Sequence, residues 1–175
     1  QLIVRKVREL NVYAEIRPAS TPVAELVAEK PVGLIFSGGP SSVYGDGAPF
    51  IDHAIFEADI PILGICYGHQ LMAHLLGGRV APGSHREYGH AVIDVVEPDL
   101  LLAGIDRSCQ TWMSHGDQVT QVPPGFDVLA TSAVTPVAAM ADARRHLYGV
   151  QFHPEVEHTP CGPQVLHNFL FKICD

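Results

Sequence analysis

The sequence predicts a three-layer α/β fold in which a mostly parallel mixed sheet is flanked by helices and extended by antiparallel additions. Three observations lead there. Between Gln1 and Leu76, helical and strand-like apolar runs alternate, the order produced when crossover helices join parallel strands. From Ala91 to Phe152 the apolar runs are short and separated by Pro, Gly and Asp, as in hairpins. The tail then returns to helical spacing, with Val165, Leu166, Phe169, Leu170 and Ile173 along one face of a helix predicted over Pro163 to Cys174.

The individual elements follow from local pattern. Gln1 to Leu10 reads as a helix, with Ile3, Val4, Val7 and Leu10 at helical spacing and Arg5, Lys6, Arg8 and Glu9 on the other side. Val12 to Ile16 reads as a strand and Pro22 to Glu29 as a short helix. The apolar run Val32 to Phe36 reads as a strand closed by Ser37, Gly38, Gly39 and Pro40. A helix is predicted over Phe50 to Glu57, a buried strand over Pro61 to Ile65, and a helix over Cys66 to Leu76, ended by Gly77 and Gly78. Ala91 to Val96, Gln110 to Met113, Phe126 to Thr131, Val137 to Ala141 and Leu147 to Phe152 are the five short strands.

Composition narrows the function classes. A chain of 175 residues, 47% hydrophobic and 17% charged, fits one globular domain over residues 1–175. Its net charge of -8 argues against a nucleic-acid partner, which calls for clustered Lys and Arg. No apolar run reaches the length of a membrane span and no signal peptide opens the chain, so no membrane partner and a cytoplasmic location are expected. The four cysteines, Cys66, Cys109, Cys161 and Cys174, are widely spaced, and reduced thiols are expected.

Chemistry concentrates at two places. Gly64-Ile65-Cys66-Tyr67-Gly68 stands where a buried strand should pass into a helix, the form of a nucleophile elbow. Small flanking residues allow the sharp turn, and the N–H groups at the start of the helix point toward the sulfur, making it a better nucleophile. His153, at the end of a strand halted by Pro154, is the candidate base, with Glu155 two residues on to fix its tautomer. A zinc site competes for these residues, because His153-Pro154-Glu155 followed by Pro160-Cys161 shares the spacing of zinc deaminases. Gln164 occupies the position where a second thiolate is needed, so no metal is expected.

With Gly64-Ile65-Cys66-Tyr67-Gly68-His69-Gln70 and Gln151-Phe152-His153-Pro154-Glu155 in one chain, the sequence resembles the class I glutamine amidotransferases. Within that family it is most similar to the amidotransferase domains of GMP synthetases, through Ser37 to Tyr44, Arg86-Glu87-Tyr88-Gly89, Trp112 to Asp117 and Asn168-Phe169-Leu170. The resemblance spans nearly the whole chain. It implies that Cys66, His153 and Glu155 form a triad that hydrolyses glutamine to glutamate and ammonia. It further implies an oxyanion site at the N–H groups of Gly39 and Tyr67, and glutamine contacts from Gln70, Ser114, Gly116 and Asp117.

No cofactor is implied in this domain. ATP and magnesium are expected in a partner, an ATP-binding synthetase domain in the same or another chain that aminates XMP. Arg86 and Glu87 are candidates for ion pairs with that partner. The resemblance also implies a first strand preceding Gln1. His69, His90 and Glu157 stand where GMP synthetases often have Met, Arg and Thr. The alternatives are a glutaminase subunit of anthranilate synthase or carbamoyl phosphate synthetase, and a catalytically silent glutamine sensor.

Overall fold

The computed structural model describes residues 1–175. Helix α1 (Leu2–Glu9) turns Val7 inward and packs Ile3 beside it, while Arg5 and Glu9 pair outside at 3.0 Å. Helix α2 (Val23–Ala28) is short and covers the opposite face of the sheet with Val23 and Leu26. The strands are β1 (Leu34–Phe36), β2 (Ile62–Ile65), β3 (Arg79–Val95), β4 (Ser108–Gln121), β5 (Asp127–Ser132), β6 (Ala139–Asp142) and β7 (Leu147–Val150). Helix α3 (Tyr67–Leu75) follows β2, and α4 (Gly162–Asn168) runs into a wider turn of helix at Phe169–Ile173. No helix is long and apolar enough to cross a membrane.

All seven strands join one sheet in the order β1-β2-β7-β6-β5-β3-β4. The pairs β1–β2 and β2–β7 are parallel, and the remaining neighbours are antiparallel. Antiparallel pairing therefore extends further than the apolar runs suggest, because β3 and β4 are much longer than their cores at Ala91 to Val96 and Gln110 to Met113.

Side-chain alternation along the strands builds two cores. Leu63 and Ile65 of β2, Tyr148 and Val150 of β7, and Ala139 and Ala141 of β6 face one side, where Val165, Leu166, Phe169 and Ile173 cover them. Ile62, Leu147 and Met140 face the other, against Met72 and Ala73 of α3 and against Ile55 and Phe56. Helices on both faces of the sheet make the three layers.

Four local expectations are corrected. Val12 to Ile16 joins no strand ladder; Tyr13 is 78% exposed, and the Ala14 carbonyl accepts from Arg8 instead. The predicted helix over Phe50 to Glu57 is only a 3-10 turn at His53–Glu57, started by the Asp52 carboxylate accepting from the Ala54 N–H. The tail helix begins one residue early and loses regular α geometry at Phe169. Cys109 and Cys161 are joined as a disulfide between β4 and the segment before α4, which corrects the expectation of four reduced thiols. Their sequence separation of 52 hid the pairing, since only the packing of that segment against β4 brings the two together.

Candidate active site

Cys66 occupies the turn from β2 into α3, with φ 53° and ψ -106°, a conformation that non-glycine residues rarely adopt. Close packing holds it there. A Cβ on Gly64 would stand 2.6 Å from the Gly68 carbonyl oxygen, one on Gly68 would collide with the Phe36 backbone, and one on Gly149 would collide with the His69 ring. Small residues at these positions let α3 sit directly on β1, β2 and β7. The Cys66 N–H donates to the Val150 carbonyl at 2.9 Å, which ties the turn to the strand that delivers His153.

His153 leaves β7 and is anchored by its N–H to the Trp112 carbonyl of β4 at 3.0 Å. The Trp112 N–H donates in turn to Thr159 Oγ1 at 2.9 Å, and the Cys109–Cys161 bridge closes the same segment. The loop carrying His153 and Glu155 is thus bound to β4 at three points. His153 Nδ1 is 2.8 Å from Glu155 Oε1. Burial alone would lower the pKa of this imidazole, but hydrogen bonds with Cys66 and Glu155 outweigh it and push the value up to about 10. Both neighbours thus favour the charged form of the ring.

The glycine loop after β1 closes over this pair. A Cβ on Gly38 would lie 3.1 Å from His153 Cε1 and 3.3 Å from Cys66 Cβ, whereas one on Gly39 would meet nothing within 4 Å. Gly38 is the packing residue and Gly39 faces open space. Two tyrosines pin the loop, Tyr67 through its hydroxyl to the Pro49 carbonyl at 2.5 Å and Tyr44 through its hydroxyl to the Val80 carbonyl at 2.9 Å. As the first residue of α3, Tyr67 has no intrahelical acceptor for its own N–H.

The remaining candidates gather on the β4 side. The Cys66 thiol approaches the Ser114 carbonyl at 3.6 Å. Gln70 turns inward, donating to the Asp117 carbonyl at 2.9 Å and to Gln151 Oε1 at 3.1 Å. Asp117 thus enters this network through its backbone. Gly116 lies where Gly83 to Arg86 bulge out of the β3–β4 ladder, and a Cβ on Gly116 would meet the Arg86 side chain at 3.7 Å.

The Glu87 carboxylate, expected to be available for an interdomain ion pair, is engaged within the fold. It accepts from Ser132 Oγ at 2.9 Å and from Thr135 Oγ1 at 2.6 Å, and it meets His115 Nε2 at 3.0 Å. His115, Gln151, Ser132 and Thr135 carry no site role in the sequence reading, and Glu87 carries only that of an interdomain ion pair. One signal was present: Thr111, Met113 and His115 share the buried face of β4, and a histidine there needs polar partners.

The histidines at unusual positions lie apart from this chemistry. His69 is fully buried in α3, where desolvation pushes its pKa down to about 3 against a hydrogen bond to the Val137 carbonyl at 3.2 Å, so it is neutral. His90 stacks edge-on against Trp112 and His158, with ring centroids 5.2 and 5.5 Å away. A cavity of about 760 Å³ between α1 and Glu15–Arg17 shares no residue with the site. Volume alone does not locate the chemistry.

A family model described as Glutamine amidotransferase class-I matches residues 1–173. Among curated relatives, the chain is 55% identical over 174 residues to a GMP synthase [glutamine-hydrolyzing] of Carboxydothermus hydrogenoformans, covering 99% of this chain and 34% of the relative. It is 56% identical over 170 residues to one of Parafrankia, covering 97% of this chain and 32% of the relative. The chain thus spans about a third of the length of these relatives.

Among solved structures, a protein assigned as a GMP synthase subunit from Thermoplasma acidophilum superposes with a TM-score of 0.84 at 32% identity, covering 99% of this chain and 87% of that one. A glutamine amidotransferase from Thermotoga maritima shares the fold, with a TM-score of 0.80 at 19% identity over 99% of this chain and 92% of that one. With its length matched almost throughout, this chain belongs to the class I glutamine amidotransferase family.

Proposed function

We propose that this chain hydrolyses glutamine to glutamate and ammonia with Cys66 as nucleophile, His153 as acid–base group and Glu155 as its orienting partner. One observation carries the reading: His153 Nδ1 lies 2.8 Å from Glu155 Oε1, and the same imidazole and Cys66 both press on Gly38, where an added Cβ would lie 3.1 Å from His153 Cε1 and 3.3 Å from Cys66 Cβ. In the first step the Cys66 sulfur adds to the glutamine carboxamide carbon, and the resulting oxyanion is stabilised by N–H groups of Gly39 and Tyr67. The C–N bond then breaks as His153 gives its proton to the departing ammonia. Water, deprotonated by His153, attacks the thioester and releases glutamate and the thiol.

The ammonia passes to a synthetase domain that aminates XMP to GMP, and ATP and magnesium belong to that domain. The names of the curated relatives and the third of their length matched here support this finer reading. Glutamate release from glutamine, measured for the chain alone and with a GMP synthetase ATP-binding domain, ATP, magnesium and XMP, tests it. No glutamate under either condition would overturn the glutaminase reading, and glutamate without GMP would overturn the choice of acceptor.

A further inference from the structure

A buried acid–base pair adjoins the site without belonging to the triad. Glu87 of β3 and His115 of β4 are register partners, and their side chains meet through Oε2 and Nε2 at 3.0 Å, with His115 only 5% exposed. Glu87 is fixed from behind by the hydroxyls of Ser132 and Thr135. On the other side of the imidazole, His115 Nδ1 is 2.7 Å from the Asp117 carbonyl oxygen. A carbonyl oxygen can only accept, so Nδ1 carries a proton and donates it. That same carbonyl accepts from Gln70 Nε2, four residues after Cys66 on α3.

The arrangement addresses a specific weakness in the sheet. The β3–β4 ladder shifts register between Pro82 and Glu87, so Gly116 has no β3 partner between the paired His115 and Asp117, and the ladder is interrupted close to where Ser114 passes Cys66. Side-chain hydrogen bonds supply the missing constraint, and burial makes them costly to leave unmade. The path runs from Ser132 and Thr135 through Glu87, His115 and the Asp117 carbonyl to Gln70 and Gln151.

We infer that Glu87 and His115 are positioning residues that fix the Ser114–Asp117 rim, and with it Gln70, at the place where glutamine is gripped. The inference rests on the glutaminase reading above. Neither residue touches the reacting atoms; both act through the Asp117 carbonyl. Their loss therefore weakens substrate binding and spares the chemical step.

The test uses His115→Gln, His115→Asn and Glu87→Gln in the full-length protein. The asparagine amide stands near the place of Nδ1 and retains the bond to Asp117, whereas the glutamine amide reaches the place of Nε2 and retains only the bond to Glu87. His115→Gln is expected to raise the KM for glutamine at least ~10-fold with kcat within ~3-fold, the signature of lost ground-state binding. His115→Asn keeps the bond to Asp117 and loses the one to Glu87, so its KM should match that of Glu87→Gln and stay well below that of His115→Gln. Glu87→Gln should raise KM several-fold alone and add nothing on the His115→Gln background, because the two act along one path. Alkylation of Cys66 by iodoacetamide, which does not use the rim, should keep its wild-type rate in all three.

Equal KM values in His115→Gln and His115→Asn, or kcat and alkylation falling together, would overturn the inference. If His115→Gln does not fold, an unchanged KM in Glu87→Gln does the same. Wild-type protein that releases no glutamate even with the synthetase domain present overturns the functional reading itself, before any variant is compared.

Discussion

His153 Nδ1 lies 2.8 Å from Glu155 Oε1 although only Pro154 separates the two residues in the chain. In an extended strand, side chains two apart point the same way, but a continuing strand would carry both into the next ladder position. Pro154 has no N–H to extend the ladder, so the chain turns and the carboxylate comes to rest against the imidazole. The same ring lies beside Gly38, against which Cys66 also packs.

Cys66→Ala should lower glutamine turnover by at least ~10³-fold while leaving the thermal unfolding temperature nearly unchanged, since the nucleophile is lost with little packing. A glutamine-shaped electrophile should label Cys66 alone. Cys109 and Cys161 are bridged, and burial pushes the Cys174 thiol up to about 12, which leaves it unreactive. Peptide mapping of the label checks this; label on Cys174 with Cys66 free would refute the assignment of the nucleophile.

Glu155→Gln should reduce kcat roughly 10- to 100-fold and change KM less than ~3-fold, because a neutral amide still accepts the imidazole N–H but stabilises the imidazolium less. Steady-state kinetics separates the two effects. A weakened KM with normal kcat would move Glu155 into the substrate pocket.

The pH dependence follows from the direction of the His153 shift. With its pKa raised from 6.5 to about 10, the imidazole remains able to protonate departing ammonia through neutral pH, and activity should fall as pH rises through about 10. In Glu155→Gln one cause of the elevation is removed, so that alkaline limb should move to lower pH. The same group contributes stability that is fully present below pH 6.5 and lost as pH rises through about 10. Denaturant midpoints for wild type and His153→Ala across that window should converge at the alkaline end.

Gly38 and Gly39 should respond differently to alanine. At Gly38 the added methyl presses on both His153 and Cys66, and a shift of a few tenths of an ångström at the reacting groups should cost about 10-fold or more in kcat. At Gly39 the space is open, and the loss should be smaller. Comparable losses at the two positions would contradict the packing role given to Gly38.

Coupling to an acceptor should make the chain a poor glutaminase alone and a faster one when the synthetase domain, ATP, magnesium and XMP are added. Arg86→Ala is the probe of the contact, because Arg86 lies beside Gly116 at the rim while Glu87 is committed inside the fold. Full activity in the isolated chain, insensitive to these additions, would exclude coupling.

Local pattern by itself determined α1, the strand before Ser37, the strand-to-helix turn at Cys66 and the strand that leads to His153. Each is set by side-chain period and by glycine or proline at fixed offsets, which act within a few residues. Cys66, His153 and Glu155 stood out as candidates for the same reason, because a cysteine at a strand-to-helix elbow and a histidine beside a proline stop are local signals. Tertiary structure alone decided the rest. Val12 to Ile16 has strand propensity but no partner in the sheet, and β3 and β4 extend through polar residues because each supplies the other's ladder. Cys109 meets Cys161, and Glu87 meets His115, Ser132 and Thr135, only after strands distant in sequence are aligned. Register between such strands depends on which faces become buried together, and a chain read one segment at a time does not contain that information.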